Sequence, residues 1–153
     1  MKRISYFVYV MALAATLASC KCHKSTTAPV VTVEARFEAG DTWMLTSMQG
    51  KEYTPTEGRK KISIQFNPEA GTVNGNSGCN RYFAQFKDLG GGKMELNELN
   101  ATKKACSESI HKVETAYLLL LRRCDGYRLG EYTLELTQND KVLLTFEKVV
   151  YEE

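Results

Sequence analysis

Apolar and polar residues alternate along several short runs of this 153-residue chain, and this alternation limits the fold more than any other feature. Successive side chains of a strand point to opposite faces, so an apolar residue at every second position marks a strand with one buried face. The apolar residues that share a face are Ile62, Ile64 and Phe66 in KKISIQF, Tyr132, Leu134 and Leu136 in YTLELTQ, and Val142, Leu144 and Phe146 in VLLTFEK. These runs predict half-buried antiparallel strands, with TWMLTSM and KMELNEL as further strands.

The turn between the last two runs is marked by Gln138-Asn139-Asp140, a polar sequence typical of a hairpin. One segment departs from the period of two. From Ser107 to Arg123 apolar residues recur at intervals of three and four, which predicts an amphipathic helix. Its apolar positions are Ile110, Val113, Tyr117, Leu120 and Leu121.

The ends of this helix also have recognisable signals. Ser107 or Ser109 is the expected N-cap, and Arg122 and Arg123 lie near the negative end of the helix dipole. The four leucines at 118–121 are more than one apolar stripe needs. We interpret the excess as packing against a curved sheet rather than as a face turned to a membrane.

The N-terminus has the pattern of a secretory signal: Lys2 and Arg3, then a mostly apolar run at 4–17, then small residues. At about 1.5 Å per residue the run reaches roughly 21 Å, and a helix needs about 30 Å to span a membrane. Leu17-Ala18-Ser19-Cys20 resembles the lipobox of bacterial lipoproteins. That resemblance implies cleavage before Cys20 and acylation of Cys20, and more than one acyl chain gives durable anchoring.

The predicted organisation has three parts: a signal peptide at 1–19, a lipidated tether at 20–39 and one domain at 40–153. The tether is short, polar and rich in β-branched residues. Lys21 follows the lipidated cysteine, so the aspartate that retains enterobacterial lipoproteins in the inner membrane is missing. We therefore expect attachment to the cell envelope, at the outer membrane, with the domain in the periplasm or at the surface.

The charge balance argues against nucleic acid as a partner. Removal of residues 1–19 takes away Lys2 and Arg3, which leaves 18 basic side chains (20 less 2) against 18 acidic ones. A nucleic-acid-binding protein needs an excess of basic residues to neutralise phosphates. The expected partners are the membrane, through Cys20, and an unidentified protein or small apolar ligand.

Catalytic chemistry has little support in the sequence. The chain has two histidines, His23 in the tether and His111 on the predicted helix, so Cys79 has no obvious base. Cys20, Cys22 and His23 are too closely spaced for a zinc site. No phosphate loop, dinucleotide fingerprint or metal-binding helix motif occurs. We expect no catalytic residue, no metal and no cofactor; Glu114 stays open, with a structural hydrogen bond to a turn favoured over catalysis.

The order of motifs resembles the META domain, also called the HslJ-like family, over about residues 41–148. The match follows TWMLTSMQGK, GTVNGNSGCNRYFAQF, ATKKAC, a helix with Glu114 and four leucines, and the final pair of strands. Its most distinctive positions are Gly71, Gly75, Gly78, Cys79, Asn80, Tyr82, Thr102 and Cys106. The triplet Gly90-Gly91-Gly92 and the cysteines Cys22 and Cys124 lie outside the family pattern.

The resemblance implies a mainly β (α+β) fold: a small antiparallel barrel-like sheet, open on one side, with one amphipathic helix packed across it. It also implies a non-enzymatic envelope lipoprotein connected with stress or envelope homeostasis. Four cysteines are left after lipidation and allow three pairings. The resemblance favours a disulfide between Cys79 and Cys106, and a second pair of Cys22 with Cys124 stays open.

Some residues are assigned roles by type alone. Gly75 and Gly78 are expected to take positive φ in a structural turn, and Asn80 to satisfy backbone donors there. Trp43, Tyr53, Tyr82 and Tyr127 are candidate binding residues, although most such side chains belong to a core. The alternatives to a protein-binding module are a carrier of an apolar ligand inside the open barrel and an inhibitor of an envelope hydrolase acting through Gly90-Gly91-Gly92.

Overall fold

The computed structural model describes residues 35–55 and 60–150 of the chain. In that part the structure has one helix and nine strands, which pair in antiparallel fashion. The strands are β1 (Trp43–Met48), β2 (Lys51–Glu52), β3 (Ser63–Asn67), β4 (Thr72–Asn76), β5 (Arg81–Gly90), β6 (Lys93–Ala101), β7 (Gly126–Leu129), β8 (Thr133–Gln138) and β9 (Lys141–Lys148), and the helix is α1 (Glu108–Arg123).

The strands form a ring in which successive strands are paired, except that β2 and β3 both pair with β1. The order is β2-β1-β3-β4-β5-β6-β7-β8-β9, and β1 also pairs with β9 from Trp43↔Lys148 to Met48↔Leu144. The ring is weakest between β6 and β7, which share the single register pair Lys93↔Gly126. The fold class is therefore confirmed as a barrel-like sheet, and its open side lies between β6 and β7.

The interior of the ring is filled by the apolar faces that the alternation predicts. Ile62, Ile64 and Phe66 are buried, and so are Leu134 and Leu136. Other buried apolar side chains come from every long strand: Trp43, Leu45, Val73, Tyr82, Ala84, Phe86, Met94, Leu143, Leu144 and Phe146. Burial of this apolar surface is the main force that holds the sheet in a ring.

Two positions of the alternation were predicted wrongly. Tyr132 is 55% exposed because the chain bends at 131–132 and β8 begins only at Thr133. In β9 the register passes from Leu136↔Leu144 to Thr137↔Val142, so Leu143 is an extra residue in a β-bulge. The bulge brings Leu143 into the core beside Leu144 and leaves Val142 half-buried.

The tight hairpins follow the local sequence. Asn139 and Asp140 connect β8 and β9 with φ of 48° and 64°, which confirms the polar turn and narrows it to two residues. Gly91 and Gly92 connect β5 and β6 in the same way, with φ of 61° and 73°. Turns with two residues at positive φ match the twist of paired strands and favour asparagine, aspartate and glycine.

The helix occupies the predicted segment, and Ser107 is its N-cap residue. Its buried face consists of Glu114, Tyr117, Leu120 and Leu121, so an acidic residue lies in the middle of the apolar stripe. The four-leucine run only partly fits the packing interpretation, because Leu119 is 57% exposed. Within the described residues, no helix has both the length and the apolar character needed to cross a membrane.

The packed domain begins earlier than residue 40. Phe37, which the sequence analysis included in the tether, is buried and stacks on Phe66 with ring centroids 4.1 Å apart. Its ring also lies 5.6 Å from that of Phe86 and 4.8 Å from that of Tyr127. A single aromatic residue after a polar stretch has no period, so no alternation could reveal it. The signal peptide, Cys20, Cys22 and His23 lie outside the described residues.

The structure pairs Cys79 with Cys106, whose Cα atoms are 6.4 Å apart, and so connects the β4–β5 turn to the segment before α1. Cys124, the C-cap of the helix, is a buried free thiol whose Sγ–H donates to the Leu120 carbonyl at 3.3 Å. Burial, with the nearby Asp125 carboxylate as a smaller cause, raises the pKa of Cys124 to about 12. A bond between Cys22 and Cys124 stays a prediction.

We predict that Cys79→Ser with Cys106→Ser lowers the free energy of unfolding by roughly 3.5 kcal/mol, because the bond closes a loop of 27 residues in the unfolded chain. Urea titration of the oxidised protein and of the double variant measures the difference. The matched control is reductant, which should destabilise the wild type and leave the double variant unchanged. Equal stability of the two oxidised proteins would contradict the assignment.

Candidate functional site

The turn between β4 and β5 (residues 77–80) is the most constrained loop near the helix. The Ser77 backbone N–H donates to the Asn80 carbonyl at 2.8 Å, and the Gly78 N–H donates to Asn76 Oδ1 at 2.9 Å. Gly78 has φ of +104°, as the sequence predicts, and this left-handed region favours glycine. These hydrogen bonds within the turn fix its conformation without a contact from another element.

Gly75 is needed for a different reason from the one predicted. It lies inside β4 opposite Tyr82 and has no positive φ. A Cβ at this position would collide with the Ser63 carbonyl oxygen and would lie 2.7 Å from the Tyr82 hydroxyl. Glycine is therefore required here by close approach rather than by a turn.

Glu114 joins the helix to this turn. Its side chain is 4% exposed, and the carboxylate accepts three hydrogen bonds. Oε1 accepts from the Ser77 hydroxyl and from the Asn80 backbone N–H at 3.0 Å, and Oε2 accepts from Asn80 Nδ2 at 2.8 Å. A buried carboxylate is costly unless donors surround it, and here they do. We call Ser77, Asn80 and Glu114 the Glu114 joint.

Asn80 extends the joint to a third element. Its Oδ1 accepts from the Thr102 hydroxyl and from the Lys104 backbone N–H, both at 2.8 Å. These residues belong to the strap, residues 102–107, which runs from the end of β6 to the start of α1. The backbone N–H from which the Asn80 side chain accepts belongs to Lys104 in the strap, whereas the sequence analysis expected such donors within the turn itself. One side chain thus holds the turn, the helix and the strap together.

A second polar contact lies deeper in the core, between Tyr82 and Tyr117. Their hydroxyl oxygens are 2.6 Å apart, and the Tyr82 hydroxyl donates to the Ser63 carbonyl at 2.9 Å. Since Tyr82 has one proton to give, Tyr117 donates to Tyr82. Burial raises the pKa of both tyrosines well above the usual value, so both hydroxyls stay neutral.

The four candidate binding residues separate into two groups. Trp43 and Tyr82 are each 2% exposed and belong to the core, so neither is available to a partner. Tyr53 is half-buried and lines a small cavity of about 270 Å³ beside Ile110 and Val113. Tyr127 is half-buried beside Phe37; its hydroxyl donates to Asp88 Oδ2 at 3.0 Å, and burial with this contact raises its pKa to about 12.

A groove of about 680 Å³ lies between α1 and the end of β6. One wall is β6 and the strap, and the other is the exposed side of the helix. The lining side chains that matter below are Leu99, Lys103, Lys104, Leu118 and Arg122. We call this surface the β6–α1 groove; the Glu114 joint forms its floor, because Asn80 and Glu114 also line it.

The polar side chains at the floor of the groove are already engaged in hydrogen bonds. The oxygens of Glu114 and both polar atoms of the Asn80 side chain are already used for structure. Over residues 35–55 and 60–150, no three histidine, cysteine or acidic side chains come together as metal ligands would. The rest of the groove lining consists of positively charged side chains, backbone groups of β6 and half-buried apolar side chains.

The sequence analysis missed several members of this site. Ser77 carried no signal beyond its position in a glycine-rich turn, and Arg122 was assigned only to the helix dipole. Lys103 and Lys104 were read only as part of a family motif. Two predictions did point here: Glu114, a polar residue in the apolar stripe of the helix, and Asn80, a residue of the predicted turn.

The fold places this protein among small β-ring domains. Its nine strands form a ring crossed by one helix, and a disulfide lies beside a buried carboxylate. The family model for the META domain matches residues 35–150, and the chain belongs to the META domain family. Comparison with curated proteins found no match.

Solved structures show the same fold. An NMR structure of a protein from Burkholderia xenovorans has a TM-score of 0.57 and 23% identity, and the match covers 77% of this chain and 92% of that one. Another NMR structure has a TM-score of 0.53 and 23% identity and covers 70% of this chain and 87% of that one. At this level of identity the likeness extends to the fold alone.

We predict that Glu114→Ala lowers the free energy of unfolding by about 3–5 kcal/mol, because it removes the buried acceptor of the Asn80 backbone N–H and of the Asn80 side-chain amide. Glu108→Ala is the matched control, since Glu108 lies on the same helix, is exposed and forms a surface ion pair with Lys112 at 2.8 Å. Its expected effect is below about 0.5 kcal/mol. Chemical denaturation measures both, and a loss under 1 kcal/mol for Glu114→Ala would disprove a structural role.

Proposed function

We propose that this protein is a lipid-anchored component of the bacterial cell envelope whose META domain is a non-enzymatic binding module. The observation that carries the proposal is the packed interior of the ring, which leaves the outer surface as the place for a partner. A role in stress or envelope homeostasis is consistent with the resemblance to META-domain lipoproteins.

The packed interior argues against the carrier alternative. A barrel that holds an apolar ligand needs internal space of the ligand's size. Here the centre is taken by large side chains that are almost completely buried, among them Trp43, Phe66, Tyr117 and Phe146. A ligand inside the ring would have to displace them, and core substitutions that change volume cost several kcal/mol.

The inhibitor alternative also loses its support. An inhibitory loop must extend far enough to enter another protein's active site. Gly91 and Gly92 form a two-residue turn, and a Cβ on Gly92 would lie 2.8 Å from the Tyr127 carbonyl oxygen. This turn is tied to β7 rather than free to extend.

The anchor rests on the sequence and on the cysteine chemistry. Leu17-Ala18-Ser19-Cys20 has the order of a lipobox, and the apolar run before it fits a signal peptide. The disulfide between Cys79 and Cys106 is consistent with an oxidising compartment outside the cytoplasm. Both features favour export followed by lipid attachment.

We predict that Cys20→Ala moves the protein from the membrane fraction to the soluble fraction and abolishes labelling with a clickable palmitate analogue, because the thiol is the site of acylation. Cys22→Ala is the matched control: it removes a cysteine two residues away and should keep both properties. Retained labelling of Cys20→Ala would overturn the proposed anchoring.

A further inference from the structure

The edge of β6 that faces away from β5 is the longest stretch of strand edge that has no neighbour in the described chain. After Lys93↔Gly126, two backbone bonds complete the contact with β7 and its preceding residue: the Met94 N–H donates to Asp125 at 3.0 Å, and the Tyr127 N–H donates to Gly92 at 2.7 Å. From Glu95 to Ala101 no other described strand pairs with this edge. Over residues 99–101 the edge borders the β6–α1 groove.

The backbone groups that face this edge follow from the alternation of a strand. The Thr102 N–H donates to the Arg81 carbonyl at 2.9 Å, toward β5, so the polar groups of Ala101 point the other way, into the groove. Leu99 follows a β-bulge at Glu98, which has φ of 53°, so the direction of its carbonyl is taken from its own contact. That contact is with Arg122, whose Nη2 donates to the Leu99 carbonyl at 3.0 Å. A side chain from the helix thus occupies a position that a neighbouring strand would otherwise take.

Positive charge surrounds this part of the edge. Lys103, Lys104 and Arg122 line the groove, and none of them has a salt bridge to another described residue. The acidic residue of the groove, Glu114, is fully engaged in its joint. Leu99, Ala101 and Leu118 add half-buried apolar surface. An extended ligand with carboxylates and small apolar side chains is complementary to all three features.

We propose that the β6–α1 groove binds an extended acidic peptide segment, which adds to the free edge of β6 at Leu99 and Ala101 and pairs its carboxylates with Lys103, Lys104 and Arg122. Addition of a strand to a sheet edge is a common mode of peptide recognition, in which main-chain bonds give affinity and side chains give specificity. Arg122 releases the Leu99 carbonyl and turns to a carboxylate of the peptide.

The strap keeps the groove in this shape. Its start is fixed by Asn80 through Thr102 and Lys104, and its end by the bond between Cys106 and Cys79. The strap backbone that carries the two lysines is therefore fixed beside the edge. The groove is pre-organised, and binding requires no large loss of loop entropy.

This inference rests on the proposed binding function and names the class of its partner. The probe is a fluorescein-labelled heptapeptide, Val-Glu-Val-Glu-Val-Glu-Val with blocked ends, titrated with the full-length lipoprotein in detergent at low salt. We expect saturable binding that weakens as salt rises and amide NMR shifts at Leu99 and Ala101. The peptide with lysine in place of glutamate should bind at least about tenfold more weakly.

Two N-methylated peptides test strand addition apart from charge. One has methyl groups on alternate backbone nitrogens and the other has them on the remaining set, so each loses the donors of one edge only. A strand pairs with β6 through one edge, so one peptide should lose roughly tenfold in affinity and the other should bind like the parent. Equal affinities of all three would show charge attraction without pairing and would overturn the inference.

Protein variants locate the site. Lys103→Ala with Lys104→Ala should weaken binding about fivefold, whereas the matched pair Lys87→Ala with Lys141→Ala, two exposed lysines outside the groove, should change it less than twofold. Equal loss in both pairs would contradict the site. So would binding to phosphatidylglycerol vesicles that depends on Lys103 and Lys104 while the peptide does not bind. In either case the Cys20→Ala fractionation and labelling experiment would still test the proposed function separately.

Discussion

The buried carboxylate of Glu114 is the interaction on which the rest of this structure depends. A charged group in the apolar stripe of a helix would destabilise the fold if it met only hydrocarbon. It meets instead the Ser77 hydroxyl and two N–H groups of Asn80, in a turn that is already closed on itself. The cost of burial is thereby offset, and the helix has a defined position and rotation against the β4–β5 turn.

That position determines the surface as well as the core. Asn80 also accepts from Thr102 and Lys104, and the disulfide fixes the far end of the strap, so the wall of the β6–α1 groove is held at both ends. Below the joint, Tyr117 donates to Tyr82 and Tyr82 to the Ser63 carbonyl, which connects the helix to β5 and β3 through neutral groups. The inside of the ring is thus filled by packed side chains, and the proposed binding site lies on its outer surface.

Much of this could be predicted from the sequence, because periodic burial leaves a periodic signal. The faces of β3 and β8 and the apolar stripe of α1 were visible in that way, and the motif around Cys79 gave the family.

The rest depends on contacts between distant residues. The bulge at Leu143 arises from register with β8, the need for glycine at position 75 from the approach of Ser63 and Tyr82, and the burial of Phe37 from stacking on Phe66. The groove was not predictable, since its walls come from separate segments of the chain. The role of Arg122 is visible only in the structure, where it donates to the Leu99 carbonyl.

The most direct test of this account is a double-mutant cycle between Glu114 and Asn80. Unfolding free energies of the wild type, Glu114→Ala, Asn80→Ala and the double variant give the coupling between the two residues. Since Asn80 offers both a backbone and a side-chain donor to one buried carboxylate, we predict a coupling of about 2 kcal/mol from the side-chain bond alone. The same cycle at Glu108 and Lys112, an exposed pair on the same helix, should give below about 0.5 kcal/mol. Additive losses for Glu114 and Asn80 would mean that their side-chain bond does not couple the helix to the turn, and this part of the account would be wrong.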